Sequence, residues 1–318
     1  MDLTIVIVNW NAGDMLRNCL ASIRNAPKAR KVEVIVIDNA SADGSREMAS
    51  HEFPEFQVIN SGANLGFGKA NNLARPHLRT PLVLFLNPDT VVLGDALDQM
   101  AAFLETHPET GAMSCQMKYQ DGSVQGLGIQ WFPTPITEFF QLALLSAGSR
   151  KFLGRILPTW NPEQSGYVKK LYGGCLMARK ELLDEVGWFD ERYFMYAEDV
   201  DLCRQITNRG RKLYYLSSAA IVHLVGGTTS NTSHGFHTLM MCESIAKLMA
   251  KYYGRLGRCL YVLAILAGSH ARLLFVGASR LLSWLTPFGR HTDYRSAWEK
   301  CSLTILWCLG IRKPVLKG

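Results

Sequence analysis

Leu82-Val83-Leu84-Phe85-Leu86-Asn87-Pro88-Asp89 is an apolar run that stops at a carboxylate. Consecutive apolar residues bounded by turn formers read as a strand buried on both faces, the kind that parallel sheets contain. Pro88 has no N–H to give a sheet and pushes Asn87 into an extended conformation, so the strand ends here with Asp89 projecting from its carboxyl end. In open α/β sheets that edge is where ligands bind. Taken alone, Asn-Pro-Asp reads equally well as a plain turn.

Outward from this run, the first 120 residues alternate strand and helix patterns. Strands are expected at Leu3–Val8, Val32–Ile37, Phe56–Asn60, Leu82–Leu86 and Ala112–Met117, with helices starting at Asp14, Ser45, Gly68 and Gly94. In the first helix Met15, Leu16, Cys19, Leu20 and Ile23 make one apolar stripe. Alternation with short polar connections means βαβ units, and therefore an α/β fold with a mostly parallel sheet covered by helices. From Tyr119 to Tyr172 the pattern loosens into Gly, Pro and aromatic residues, with one helical patch at Ile136–Leu145. Regularity returns with a strand over Leu171–Arg179, a helix from Lys180, a second over Val200–Arg209 and a short strand at Lys212–Leu216.

With 318 residues the chain can bury one large domain and carry an appendage. A hydrophobic share of 48% against 19% charged residues excludes a disordered protein. The net charge of +7 sits in the tail: residues 251–318 hold 11 Lys and Arg against 2 Asp and Glu, leaving 23 against 25 in the rest. Such a tail points to an anionic surface. The eight cysteines form no Cys-x-x-Cys and read as reduced, mostly buried thiols of a cytoplasmic protein. No basic leader or apolar export core precedes the first strand, so secretion is not expected.

Four further stretches gather polar chemistry at strand ends. Asn9-Trp10-Asn11 closes the first strand, and Asp38-Asn39 closes the second, ahead of a turn and cap at Asp43-Gly44-Ser45. Asp38 and Asn39 are not needed by that cap, and a carboxylate there can accept from a ring N–H or a ribose hydroxyl. Asn64-Leu65-Gly66-Phe67-Gly68, followed by Asn72, is a glycine-containing turn into a helix, a place where backbone approaches a ligand closely and negative charge is favoured. Phe194 to Arg204 places aromatics before Glu198-Asp199, which open a helix whose dipole holds a carboxylate ionised. Asp201 and Arg204, three apart, read first as an ion pair on the helix surface and second as a substrate contact. His223 lies in an apolar strand and reads as a core histidine or a metal ligand.

Together these residues resemble the family 2 nucleotide-sugar glycosyltransferases of the GT-A fold, and among them the rhamnosyltransferase-like enzymes of bacterial cell-surface polysaccharide synthesis. The resemblance covers about residues 3–230 and rests on five ordered motifs. It implies nucleotide contacts from Asn9, Asn11, Asp38, Asn39, Asn64, Gly66, Phe67, Gly68, Asn72 and Asn87. Asn87-Pro88-Asp89 stands where the family has Asp-x-Asp, which makes Asp89 a ligand of a divalent metal, Mg or Mn, that carries the diphosphate. Because Asn87 replaces the first aspartate, His223 becomes the expected second protein ligand. Gly174 and Met177, with Asp201 and Arg204, are expected beside donor sugar and acceptor, and Glu198-Asp199 supply the catalytic base. The Gln-x-x-Arg-Trp of processive synthases is absent, which implies one sugar per encounter.

The organisation expected is thus a nucleotide-sugar-binding half over 1–118, an acceptor-binding and catalytic half of the same domain over 119–250, and a basic, mainly α-helical tail over 251–318. Drawn as one continuous helix, 251–285 puts Lys251, Arg255, Arg258, Arg272 and Arg280 in one arc of about 100°, opposite Leu256, Leu260, Leu263, Leu274 and Phe275. Its longest uncharged run, Cys259–Ser269, is short of the ~20 residues that span a bilayer, so an in-plane helix on anionic lipid is expected, with packing on the catalytic domain as the alternative. The expected location is the inner face of the cell membrane, beside a lipid-linked or glycan acceptor. Competing classes are a sugar-phosphate nucleotidyltransferase, which would carry a Gly-rich basic loop where this chain has Asn9-Trp10-Asn11, and a non-catalytic sugar-nucleotide-binding protein, which has no use for Asp199. Nucleic acid is not an expected partner, because basic and aromatic residues of the tail segregate rather than interleave.

Overall fold

The computed structural model describes residues 2–27, 29–126, 130–143, 160–224, 234–283 and 294–315. The end of the expected Ile136–Leu145 patch, after residue 143, and residues 284–285 of the tail helix lie outside them. Two compact units are formed: Met1–Gln130 and Thr159–Asn231, to which Lys317–Gly318 are assigned, make one, and Trp131–Pro158 with Thr232–Leu316 the other.

The first unit is built on β1 (Leu3–Asn9), β2 (Val32–Asp38), β3 (Gln57–Asn60), β4 (Leu82–Leu86), β5 (Thr90–Val92), β6 (Thr110–Lys118), β7 (Gly166–Val168), β8 (Cys175–Arg179) and β9 (Lys212–His223). Its helices are α1 (Gly13–Asn25), α2 (Ser45–Glu52), α3 (Phe67–Asn72), α4 (Ala96–Thr106), and, after α5 (Pro135–Ala143) of the second unit, α6 (Lys180–Val186) and α7 (Glu198–Asn208). The sheet runs β3-β2-β1-β4-β8-β6-β9-β5, with β7 on β9.

The parallel half follows from the sequence: β1, β2, β3 and β4 pair in parallel with the expected alternation. Leu3, Ile5, Ile7, Leu82, Leu84 and Leu86 face Leu16, Leu20 and Ile23 of α1 and Leu97, Met100 and Leu104 of α4 in one core. Each such side chain, wholly buried, contributes about 1.5–3 kcal/mol. On the opposite face Phe85 meets the rings of Trp188 and Phe189 edge-on at 6.2 and 4.7 Å. β4 is therefore buried on both faces, as its composition requires.

The expectation of a mostly parallel sheet needs correction in the second half. β8 runs antiparallel between β4 and β6, and β5 and β7 are antiparallel to β9. Because β8 begins where β4 ends, with Leu86 opposite Cys175, it brings the preceding Gly173-Gly174 to the carboxyl end of β4. β9 also extends seven residues beyond the expected Leu216, to His223, by a bulge at Ser217-Ser218-Ala219. Those small residues look like a turn, but Ser165 Oγ accepts from the Ser217 N–H at 2.9 Å and Ser218 Oγ donates to Gln99 at 2.9 Å, so the strand continues past them.

The second unit packs α5 with α8 (His234–Ser283) and α9 (Tyr294–Cys308). Its helical pattern starts before the Lys251 expected from the charge shift, and it takes in α5 from the irregular insert. α8 is not one continuous rod: Gly254, at φ 67° and ψ −166°, breaks it into two legs. On the second leg Gly268 lies tight on α5, where an added Cβ would stand 3.0 Å from the Phe139 carbonyl oxygen, and Tyr261 meets Trp307 of α9 at 6.4 Å. None of the eight cysteines is in a disulfide, and all but Cys259 and Cys308 are buried.

Candidate active site

The site lies at the carboxyl end of β4 and is organised around Gly173-Gly174. On one side the Gly173 N–H donates to Asp199 Oδ2 at 3.0 Å, and a Cβ on Gly173 would stand 3.3 Å from Asp199 Cβ and from the Phe67 ring. On the other side Gly174 accepts from the Asn87 N–H at 3.0 Å, and a Cβ there would stand 3.3 Å from Asn87 Nδ2 and 3.9 Å from His223 Nε2. Two adjacent glycines thus lie against a carboxylate at Gly173 and against the Asn87 and His223 side chains at Gly174.

Asp89 and His223 meet through a strand pair that the sequence reading missed. β5 is antiparallel to the end of β9, setting Thr90 opposite His223, and the Leu224 N–H donates to the Asp89 carbonyl at 2.9 Å. His223 Nε2 then stands 3.5 Å from Asp89 Oδ1, a buried oxygen with no hydrogen-bond partner. An orphaned buried carboxylate oxygen facing an imidazole nitrogen suits a divalent cation, which accepts mixed O and N ligation. Among the described residues no three His, Cys, Asp or Glu side chains form a closed cage, so a cation here would take further ligands from substrate or water. Gln125 binds His223 through both its ring and its carbonyl, and it was not among the expected site residues.

Asp199 is not the helix cap. Ala197, at φ 67°, is the capping residue of α7, and its carbonyl accepts from the Asp201 N–H at 2.8 Å. Asp199 Oδ1 accepts from the Val200 N–H at 2.7 Å and Oδ2 from Gly173, yet burial still raises its pKa. Neighbouring Glu198 is 5% exposed, and burial, then the Asp199 charge, pushes its carboxyl well above the usual range. A base with a raised pKa in partial contact with solvent fits proton abstraction from a hydroxyl. Tyr196 and Ala197, at φ 68° and 67°, are consecutive non-glycine residues in the left-handed region directly before this pair, strain of the kind that functional loops hold.

Several of the residues expected to contact nucleotide hold the site's walls together. Asn9, fully buried, donates from Nδ2 to Asp38 Oδ1 at 2.9 Å and to Ser45 Oγ at 2.7 Å, while the Ser41 N–H donates to Asp38 Oδ2. Asn39 Oδ1 accepts from the Leu65 N–H at 2.8 Å, and its Nδ2 donates to Asn64 Oδ1 at 3.0 Å, tying β2 to the glycine loop. Asn72 brackets Phe189, accepting from its N–H at 3.2 Å and donating to its carbonyl at 2.9 Å. Asn11, Asn64, Phe67 and Asn87 remain partly exposed toward solvent. Met177, expected beside the sugar, is a core residue opposite Leu84 and Met113, and Asp201 is buried with Gln205 donating to it at 2.8 Å, not on the helix surface. Arg204 lies on the same helix, α7.

The glycines of the 64–68 loop have a definite task. Gly66 takes φ +80°, and a Cβ there would fall 2.0 Å from the Phe194 carbonyl oxygen, to which the Phe67 N–H donates at 2.8 Å. A Cβ on Gly68 would meet Phe189 at 3.0 Å. The glycine loop and the 188–199 loop therefore cross in direct contact, which couples the two sides of the site. Gly66→Ala is expected to cost roughly 1–3 kcal/mol from the left-handed backbone alone, and more from the overlap. Urea unfolding measures the loss; a midpoint equal to that of the wild type would show that the crossing is looser than described.

Comparison with known proteins accords with this geometry. The model of the family Glycosyl transferase family 2 matches residues 4–186, and the chain belongs to that family. It is a glycosyltransferase with the GT-A fold. It is 30% identical over 243 residues to the N-acetylglucosaminyl-diphospho-decaprenol L-rhamnosyltransferase of Mycobacterium tuberculosis, a match covering 70% of this chain and 75% of the relative. It is 24% identical over 230 residues to the rhamnosyltransferase WbbL of Escherichia coli, covering 69% and 82%. Among solved structures, the mannosyltransferase PcManGT of Pyrobaculum calidifontis, determined with GDP-Man and Mn2+, superposes with a TM-score of 0.62 at 16% identity over 97% of this chain and 86% of that one.

Proposed function

We propose that the protein transfers one sugar, L-rhamnose from dTDP-rhamnose as the first candidate, to a polyprenyl-diphosphate-linked or glycan acceptor, inverting the anomeric configuration. The observation that carries this reading is the placement of Asp199 and of the Asn87, Asp89 and His223 group on either side of Gly173-Gly174. In-line displacement needs a base on one side of the anomeric carbon and a pole for the leaving diphosphate on the other. Asp199 takes the proton of an acceptor hydroxyl, the oxygen attacks the anomeric carbon, and the bond to the diphosphate oxygen breaks as the nucleoside diphosphate leaves. Asn87 is placed to hydrogen-bond ribose, and the partly exposed Asn11, Asn64 and Phe67 line the nucleotide side.

Asp89 and His223 are the residues that would hold a divalent cation. Such an ion, Mg or Mn, neutralises charge on the departing diphosphate. The names of the two rhamnosyltransferase relatives support the sugar, and the diphospho-decaprenol substrate named for one of them supports a lipid-linked acceptor. A screen of nucleotide sugars against a synthetic polyprenyl-diphosphate N-acetylglucosamine, with and without MnCl2, tests the reading. Transfer from dTDP-rhamnose that rises with Mn2+ supports it; transfer equal with EDTA removes the cation, and transfer from another donor alone removes the rhamnose.

The second unit supports attachment to the anionic inner leaflet. Leu256, Leu260, Leu263 and Leu274 form an exposed stripe on the second leg of α8, with 70%, 47%, 60% and 75% of their surface open. Ile136 and Phe140 of α5 and Trp298 of α9 are also exposed. By length and composition Gly235–Ala278 is apolar enough to cross a membrane, despite its short uncharged run. We read it as lying in plane, because Gly257, Tyr261, Gly268 and Val276 on its other side are buried in the unit. The full chain is expected to float with phosphatidylglycerol vesicles and to be released by alkaline carbonate, while Leu260→Asp/Leu263→Asp sediments; wild-type protein that stays soluble would contradict attachment, and resistance to carbonate would indicate a span.

A further inference from the structure

We infer that Gln125 is a positioning residue that fixes the His223 ring in the tautomer whose Nε2 lone pair faces Asp89, an inference that rests on the cation reading above. The chain after β6 turns back at once: the Tyr119 N–H donates to the Ser123 carbonyl at 2.8 Å, Lys118 bridges to Val124, and the Gln125 N–H returns to the Met117 carbonyl at 2.8 Å. This tight hairpin sets Gln125 against the end of β9, whose Val222 pairs with Lys118.

The hydrogen bonds of Gln125 leave one assignment of protons. Its Nε2 donates to the His223 carbonyl at 2.9 Å and to the Lys118 carbonyl at 3.3 Å. Carbonyl oxygens only accept, so the amide nitrogen must occupy this end of the side chain. The other end, Oε1, then stands 3.2 Å from His223 Nδ1. An amide oxygen also only accepts, which requires the proton of the ring to be on Nδ1. With Nδ1 donating to Gln125, it is Nε2 that faces Asp89 Oδ1 across 3.5 Å, an oxygen that makes no hydrogen bond. A nitrogen and a carboxylate oxygen at that distance are held together by a proton or by a cation between them, and the cation reading takes the second case.

The arrangement is an outer-shell device: a group behind the imidazole fixes its rotation and its tautomer before the metal arrives. Gln125 does this with one side chain that grips the ring and the backbone of the same histidine. Its side chain bonds the Lys118 carbonyl and His223, so its effect on a cation passes through His223. No resemblance among the sequence motifs marked it, because it lies in the irregular segment after Lys118.

Long-range 1H–15N NMR of the metal-free full chain tests the inference, with His223→Ala identifying the His223 ring signals. The wild type is expected to show a protonated Nδ1 and an unprotonated Nε2. Gln125→Met, which keeps the bulk but removes acceptor and donors, is expected to move the ring to the Nε2–H form or a mixture and to weaken Mn2+ binding, read by titration in the presence of dTDP, by about 10–100-fold. A wild-type ring protonated on Nε2 overturns the inference, as does a Gln125→Met protein with wild-type ring signals and Mn2+ affinity. A wild-type ring with Nδ1–H in a protein that takes no Mn2+ overturns the cation reading and leaves the tautomer assignment standing.

Discussion

Asp199→Asn lowers sugar transfer by about 10²–10⁴-fold, with donor KM within a few-fold of wild type, if Asp199 is the base. The substitution preserves shape and keeps one acceptor: the asparagine oxygen can take the Gly173 N–H, while its NH2 then replaces the oxygen that accepts from the Val200 N–H. What it removes is the capacity to take a proton. Because asparagine has one acceptor oxygen for the two N–H groups that the carboxylate serves, the melting temperature and donor KM of the variant are read beside kcat to separate a loss of fold from the loss of a base. Steady-state kinetics with saturating acceptor provide the test, and near wild-type turnover would exclude Asp199 as base.

The pH dependence of the wild type follows from the same group. Burial raises the Asp199 carboxyl above its ordinary value, so the ionised, active form is lost as pH falls through that raised pKa. The acid limb of kcat is therefore expected above the ordinary carboxylate range, and Asp199→Asn is expected to abolish it.

Asp89→Ala removes the orphaned oxygen that faces His223, and a loss of about 10³-fold in kcat/KM, ~4 kcal/mol, is expected where a cation supports the leaving diphosphate. Its signature differs from that of Asp199→Asn. The thermal stabilisation expected of Mn2+ with dTDP in the wild type should be absent here, whereas in Asp199→Asn it should persist. The variant also loses the 3.5 Å contact of this buried carboxylate with His223 Nε2, so the melting temperature of the metal-free protein is read first, to separate a fold defect from loss of the cation. A variant that is inactive but still stabilised by Mn2+ would place the cation elsewhere.

The sequence made the parallel half of the fold legible because period and burial agree there. Leu82–Leu86 is the whole of β4, and the strand stops at Leu86, ahead of Asn87-Pro88. The antiparallel half was obscured because its strands are short or masked by small residues. Three-residue β5 and β7 leave no periodicity, and Ser217-Ser218-Ala219 reads as a turn although it is a bulge. Yet β5 is what carries Asp89 to His223, so the pairing of the two candidate ligands could be guessed only through the family resemblance.

Residue chemistry was legible where function and fold ask for different residue types. Asp199 stood out because a helix cap alone does not need the aromatics and Glu198 around it. Asn9, Asn39 and Asn72 were harder to interpret, since an asparagine that ties loops together looks in sequence like one that binds a nucleotide. Gly66 was read as room for a ligand, and that room is taken by the Phe194 carbonyl oxygen. Gln125 gave no sign at all, because its partners are the carbonyls of Lys118 and His223 and one ring nitrogen, brought together only by the hairpin.

The central claim is that base and leaving-group pole lie on opposite sides of the reacting carbon, separated by Gly173-Gly174. The anomeric configuration of the transferred sugar, read by NMR of the product formed from a donor of known configuration, tests it most directly. Inversion in every turnover is the expected result. Retention would contradict the account, since it requires a nucleophile or a same-face attack that this arrangement of Asp199 against Asp89 and His223 does not provide.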